Sequence, residues 1–291
     1  RKSIEILDGA GITHLIFGTE EMDIEVFEEI YKKQQETPSE KYRELLKQGN
    51  SFAKINGELY GISNNNPNFS LAYSYYKMIK EFVPHIKLVP VKRTGQNLNN
   101  ENLEMVQHLS ATAIRKNIMS EEITSYISKE LLEDIRASKI PTEEDFFGLL
   151  KYKIISLGKD GLKNIYDMRE GLENRIFEAA LSAKNYGELV ELVITKRYSK
   201  KKIQRLLIHV LTNTTRDDYE ELFGTKVFRV LAVKSEKSGL IREINKEEKI
   251  TLVSVLNSSN SMYFAQDIKV ARIYNLIAGK PDIFREKIEL I

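Results

Sequence analysis

The chain reads as an α/β unit followed by a mostly helical, basic half that ends in a second, small α/β unit. Three observations predict this. Two short apolar runs, residues 13–18 and 86–91, have strand character and close on Gly18 and on Lys92-Arg93, as strands do at the ligand-facing edge of an α/β sheet. In the second half, apolar residues recur instead at helical spacing. The net charge of +2 also hides an asymmetry: residues 1–150 carry 18 Lys and Arg against 23 Asp and Glu, and residues 151–291 carry 26 against 19. An acidic half beside a basic half suits an enzyme domain with a nucleic-acid-binding appendage.

The 291 residues suffice for two domains with separate cores. The absence of cysteine excludes a disulfide framework, a thiol nucleophile and a thiolate metal site. His14, His85, His108 and His209 are too scattered for a metal cluster. No apolar run approaches the roughly 20 residues of a membrane span, and Arg1-Lys2-Ser3 is not followed by the apolar stretch of a signal peptide. A soluble cytoplasmic protein without a membrane partner is expected; oligomeric state is not encoded in any pattern.

In the first strand, Gly18 serves either as a turn or as an opening for a ligand. Amphipathic helices are expected at about 24–34 and 39–48. The turn signal of residues 63–68, rich in Asn, leads into a helix from Phe69, with Asn68 as its cap or as a ligand contact. Lys92 and Arg93, at the end of the second strand, suit a triphosphate or a plain surface. Residues 108–116 form a hydroxyl-rich turn into a helix. Ser110 is a good N-cap, Thr112 adds a hydroxyl, and Arg115 can reach back toward an anion with a bidentate fork. An ordinary capped helix reads the same way.

Ser110-Ala111-Thr112-Ala113-Ile114-Arg115 resembles the second signature of the HIGH-type nucleotidyltransferases, and the surrounding chain is similar to one group among them, the bacterial tRNA(Met) cytidine acetate ligases. Phe17-Gly18-Thr19-Glu20 resembles that group's Phe-Gly-Ser-Glu, Pro67-Asn68 its Pro-Asn-Asn, and Lys92-Arg93 its basic pair. Residues 162–166 with 170–175, 195–198 with 203–207, and 268–275 continue the likeness along essentially the whole chain. The resemblance implies a partial Rossmann-like domain at 1–120, followed at 121–291 by a helical, tRNA-binding domain with a small α/β tail. It implies an ATP-dependent ligase that forms N4-acetylcytidine at the wobble position of elongator methionine tRNA from acetate, through acetyl-adenylate. ATP would contact Gly18, Asn68, Arg93, Ser110, Thr112 and Arg115, accompanied by a magnesium ion that no motif marks.

Two departures accompany the likeness. The family's His-x-Gly-His motif is not found in these 291 residues, so the resemblance places it upstream of Arg1 and assigns no catalytic residue here. Where the family has a His-Asp pair, the chain reads Asn97-Leu98-Asn99-Asn100. This chain alone is therefore expected to be inactive. A non-catalytic RNA-binding protein and another HIGH-type adenylyltransferase are the alternatives.

In the second half, a helix is expected at 142–157 between the breakers Pro141 and Gly158, with Phe146, Leu149, Leu150, Tyr152, Ile154 and Ile155 as its apolar face. Further helices are expected at about 168–183 and 187–195, with Asn174-Arg175 as a bridge between helices or an RNA contact. Residues 195–205 then hold six cations and no acid. Ser199 caps a helix whose stripe is Ile203, Leu206, Leu207, Val210 and Leu211. Lys196, Arg197, Lys200, Lys201, Lys202 and Arg205, with Tyr198 as a stacking surface, are the candidate tRNA contacts. Cations at a helix start oppose its dipole, and a phosphate backbone there would relieve them; a merely solvated charged face reads the same way. The tail predicts strands at 228–233 and 250–255 around a helix at about 236–246, then a helix at about 262–278.

Overall fold

The computed structural model describes residues 1–19, 21–50, 52–62, 67–94, 100–103, 108–280, 282, 289 and 290. Most of the Asn-rich turn, Glu20 and the loop from Gly95 to Asn99 lie outside the described residues. The described fold is mostly helical with three small parallel sheets.

The first half is built on β1 (His14–Thr19) and β2 (Lys87–Lys92), paired in parallel from His14↔Lys87 to Thr19↔Lys92. Parallel strands need a crossover, here supplied by α2 (Ile24–Glu36), α3 (Ser39–Lys47), α4 (Phe52–Tyr60) and α5 (Pro67–Phe82). Helix α1 (Lys2–Gly9) precedes β1 and buries Ile4 against Ile79, Val83 and Ile86. A second apolar cluster joins Phe27 and Ile30 of α2 to Tyr60, Ile62, Ala72, Tyr73 and Tyr76. Tyr76 and Lys80 of α5 both donate to the Glu28 carboxylate and clamp α2 in place. The strands are buried on one face only. Leu15 and Phe17 lie against α5, whereas Ile16 is 66% and Val91 48% exposed, so the expected buried strand is half-covered.

After α6 (Ala111–Lys116) and α7 (Lys129–Ala137), the helical half packs α8 (Phe147–Lys163), α9 (Leu172–Ser182), α10 (Tyr186–Val193) and α11 (Lys200–Leu211) around one core. The predicted stripe on α11 is correct: Ile203, Leu206, Leu207 and Val210 are buried, with Leu211 at the margin. The prediction for α8 needs correction. Residues 142–145 form a turn closed by the Asp145 carboxylate, which accepts from Thr142 N and Oγ1 at 2.7 Å, so the helix begins at Phe147. Gly158, at φ 62°, kinks the helix without ending it. Only Leu150 and Ile154 of the expected face reach the core, and Tyr152 is 71% exposed. Asp167 and Gly171, both at positive φ, delay α9 to Leu172.

Helix α12 (Arg216–Gly224) starts in a reciprocal capping box between Thr215 and Asp218. The tail forms the expected βαβ unit. Here β3 (Val227–Arg229) pairs in parallel with β5 (Thr251–Val253), and α13 (Gly239–Lys246) crosses between them. The single strand expected at 228–233 is instead divided, because β4 (Ala232–Val233) pairs with β6 (Glu289–Leu290). Helix α14 (Ala265–Ala278) closes the fold. The tail returns to the start of the chain: a Cβ on Gly9 would come within 2.5 Å of Ile250 Cγ2, and Lys2 lies over the Phe228 ring. No described helix is long and apolar enough to cross a membrane.

Candidate nucleotide and nucleic-acid sites

At the carboxyl ends of β1 and β2, Gly18 lies opposite Val91 and Thr19 opposite Lys92. Arg93 N donates to Thr19 O at 3.0 Å, which carries the pairing one residue further. Gly18 lies inside the strand, so it is not a turn glycine. Its φ is ordinary and a Cβ there would meet none of the described residues within 4 Å. Neither backbone nor packing requires a glycine at this position, and the space before it is open.

Phe17 packs edge-on against Tyr75 of α5 at 5.7 Å and shares an apolar cluster with Phe69. The first turn of α5 therefore lies toward the same strand ends. Asn68 is the second residue of that helix rather than its cap, which corrects the capping role; proline before it suits the first helical position. Gly18 and Arg93, far apart in sequence, thus meet at one edge, while Asn68 lies in the first turn of the helix that packs on β1.

Ser110, Thr112 and Arg115 form a second group. The buried Ser110 hydroxyl accepts from Ala113 N at 2.9 Å and donates to Asn100 O at 2.5 Å. It caps α6 and pins the loop that returns from β2. Asn117 Nδ2 donates to Glu101 O at 2.9 Å and Lys116 pairs with the Glu101 carboxylate, which adds to the same anchor. Thr112 is half-buried and Arg115 exposed on this six-residue helix. Among the described residues, no group of three His, Asp or Glu converges as a metal site.

The cations of residues 196–205 do not behave alike. Lys196, Arg197, Lys200, Lys201 and Arg205 are exposed around the start and outer face of α11. Lys200 meets Glu191 at 3.2 Å, an exposed pair of little energetic weight. Lys202 is the exception: it is held in a half-buried ion pair with Asp167, so its charge is already matched. Tyr198 also departs from expectation. It packs against the helical core with Arg197 over its ring at 5.6 Å, inside a turn in which Thr195 and Tyr198 exchange backbone hydrogen bonds at 3.2 Å. Ser199 caps α11 without a side-chain bond. Arg175 resolves as a structural bridge, donating from α9 to Leu192 O at 2.8 Å and Ile194 O at 3.3 Å, the orphan carbonyls ending α10.

Sequence reasoning missed an aromatic ladder beside this surface. Tyr166 and Tyr219 stack at 3.6 Å, Phe223 follows at 6.0 Å, and His209 meets the Tyr166 ring edge-on at 5.2 Å. A hydrogen bond to Tyr219, added to burial, pushes the Tyr166 hydroxyl up to about 12. Burial lowers His209 below the ordinary imidazole value, with Lys202 and Arg205 acting in the same direction and Asp167 against it. The i, i+4 spacing of Tyr219 and Phe223 was the available signal.

The profile of the HIGH nucleotidyl transferase family matches residues 1–287. The chain belongs to the HIGH nucleotidyl transferase family. It is 29% identical over 283 residues to the tRNA(Met) cytidine acetate ligase of Staphylococcus aureus, a match spanning 96% of this chain and 74% of that protein. Among solved structures it resembles apo Thermotoga maritima TmcAL, with a TM-score of 0.83 at 21% identity over 99% of this chain and 80% of that one. A second Thermotoga TmcAL structure, bound with alpha-thio ATP, gives 0.75 at 20% identity over 97% and 76%. These two likenesses establish the fold of this HIGH nucleotidyl transferase family member: mostly helical, with small parallel sheets.

Proposed function

We propose that this chain supplies the phosphate-holding part and the RNA-holding part of an ATP-dependent tRNA cytidine acetate ligase. The observation that carries the reading is the open strand-end edge, where Gly18 leaves space that the fold itself does not use and Arg93 begins next to it. A phosphate of ATP would suit this edge: a backbone without a side chain permits close approach, and a guanidinium matches phosphate oxygens. Asn68 would add an amide from the first turn of α5. Arg115 and Thr112 would approach the phosphates from α6, with Ser110 fixing that helix rather than touching the ligand. In this reading ATP supplies the leaving pyrophosphate that activates acetate, and cations placed where charge develops would favour its departure.

The Staphylococcus relative is named for tRNA(Met) and acetate, and the exposed cations Lys196, Arg197, Lys200, Lys201 and Arg205 support an RNA partner. Elongator methionine tRNA, and its wobble cytidine as acceptor, are the proposed substrate. Full-length gene product incubated with ATP, labelled acetate and tRNA(Met) should yield N4-acetylcytidine by mass spectrometry. Unmodified tRNA in a reaction where the protein demonstrably binds both ATP and tRNA would overturn the ligase reading. It would favour a non-catalytic RNA-binding role.

A further inference from the structure

We infer that the ladder Tyr166–Tyr219–Phe223 is a stacking site for an unpaired RNA base whose flanking phosphates lie on the cations of α11. The inference rests on the proposed RNA-binding reading and adds a second kind of contact to it.

The geometry has two ends. At the inner end, Tyr166 stacks on Tyr219 with ring planes 11° apart, and His209 of α11 abuts its edge. Arg205, one turn before His209, is exposed there, while Arg169 lies 3.9 Å from Asp167, itself paired with Lys202. At the outer end, Phe223 continues the stack at 25° and is 37% exposed.

A ladder serving only to attach α12 would stop at Tyr219. That helix is already fixed by its capping box, by the Ile165↔Thr215 bridge and by Arg216 Nη2 donating to Met168 O at 3.1 Å. α12 buries none of its residues, so Phe223 is not a core side chain.

The charges sort backbone from base. Asp217, Glu220 and Glu221 are exposed on α12 and repel phosphate, whereas α11 attracts it. A strand held along α11 would therefore present a base, not its backbone, to the ladder. Stacking on an aromatic ring requires a splayed, unpaired base, so the ligand is a loop or single strand rather than a duplex.

These 291 residues contain no tryptophan, so within them Phe223→Trp places a single indole reporter at the outer end. Titration with tRNA(Met) should quench its emission in step with binding followed by anisotropy of labelled tRNA. A duplex RNA of equal length should bind through the cations without quenching. Phe223→Ala should weaken tRNA binding about 10-fold with an unchanged salt slope and an unchanged melting temperature. Indole emission that stays constant while tRNA saturates the protein overturns the stacking site and leaves the RNA-binding reading intact. Failure of the wild-type chain to bind tRNA overturns both.

Discussion

The backbone N–H of Arg93 donates to the carbonyl of Thr19 at 3.0 Å, so the guanidinium-bearing residue begins where the strand carrying Gly18 ends. A side chain placed by strand pairing has its origin fixed by the sheet. Ligand contacts built this way lose less freedom on binding than contacts from an untethered loop.

Two substitutions test this edge. Gly18→Ala should leave thermal stability unchanged, since a Cβ meets nothing there, yet weaken binding of an ATP analogue in calorimetry. Arg93→Ala should weaken it by about 10- to 100-fold, the usual loss for one charge-assisted contact. Gly9→Ala is the control. It should lower the melting temperature without touching nucleotide affinity, because its new Cβ would press on Ile250.

The salt dependence of tRNA binding separates the cations. Replacing Lys196, Lys201 and Arg205 together by Ala should reduce the slope of log K against log salt by about 2 to 3. Lys202→Ala should change the slope little, because Asp167 already matches that charge, but should lower the melting temperature by leaving the half-buried Asp167 carboxylate with only the longer Arg169 contact at 3.9 Å.

Arg175→Leu should destabilise the helical half by about 1–3 kcal/mol, as two α10 carbonyls lose their donor. Thermal denaturation measures this. A normal salt slope in the folded variant would accompany it, since the Arg175 guanidinium is spent on α10 carbonyls.

His209 sets a pH dependence. Its folded-state value is lowered by burial, so below the ordinary imidazole value of 6.5 the unfolded chain binds more protons than the folded one. The stability contributed by neutral His209 is present above that value. It is lost as pH falls through the range between the ordinary and the lowered value. The melting temperature should therefore drop more steeply between pH 7.5 and 5.5 in wild type than in His209→Gln.

What the sequence revealed depended on how local the cause was. The stripe from Ile203 to Val210 and the Ser110 cap follow from spacing within one helix turn or two, and both were readable. The parallel pairing of β1 and β2 was only implied by Gly18 and Lys92-Arg93, because register joins residues 73 positions apart in sequence, from His14↔Lys87 onward. Lys202 looked like its neighbours until Asp167, distant in sequence and held at positive φ, came to meet it. Tyr198 looked like a stacking surface because aromatic side chains serve cores and ligands equally well, and the turn of residues 195–198 folds it inward. The Tyr166–Tyr219 stack joins two elements 53 residues apart, which no periodicity encodes.

The proposal that Gly18 and Arg93 hold the phosphates of ATP for a tRNA-acetylating ligase can be tested on the reaction itself. The most direct measurement compares labelled acetate incorporated into tRNA(Met) by the full-length gene product and by its Arg93→Ala variant, at equal protein and saturating tRNA. ATP-dependent N4-acetylcytidine is expected with the first, and at least a 10-fold lower rate with the second at subsaturating ATP. Equal rates would contradict it.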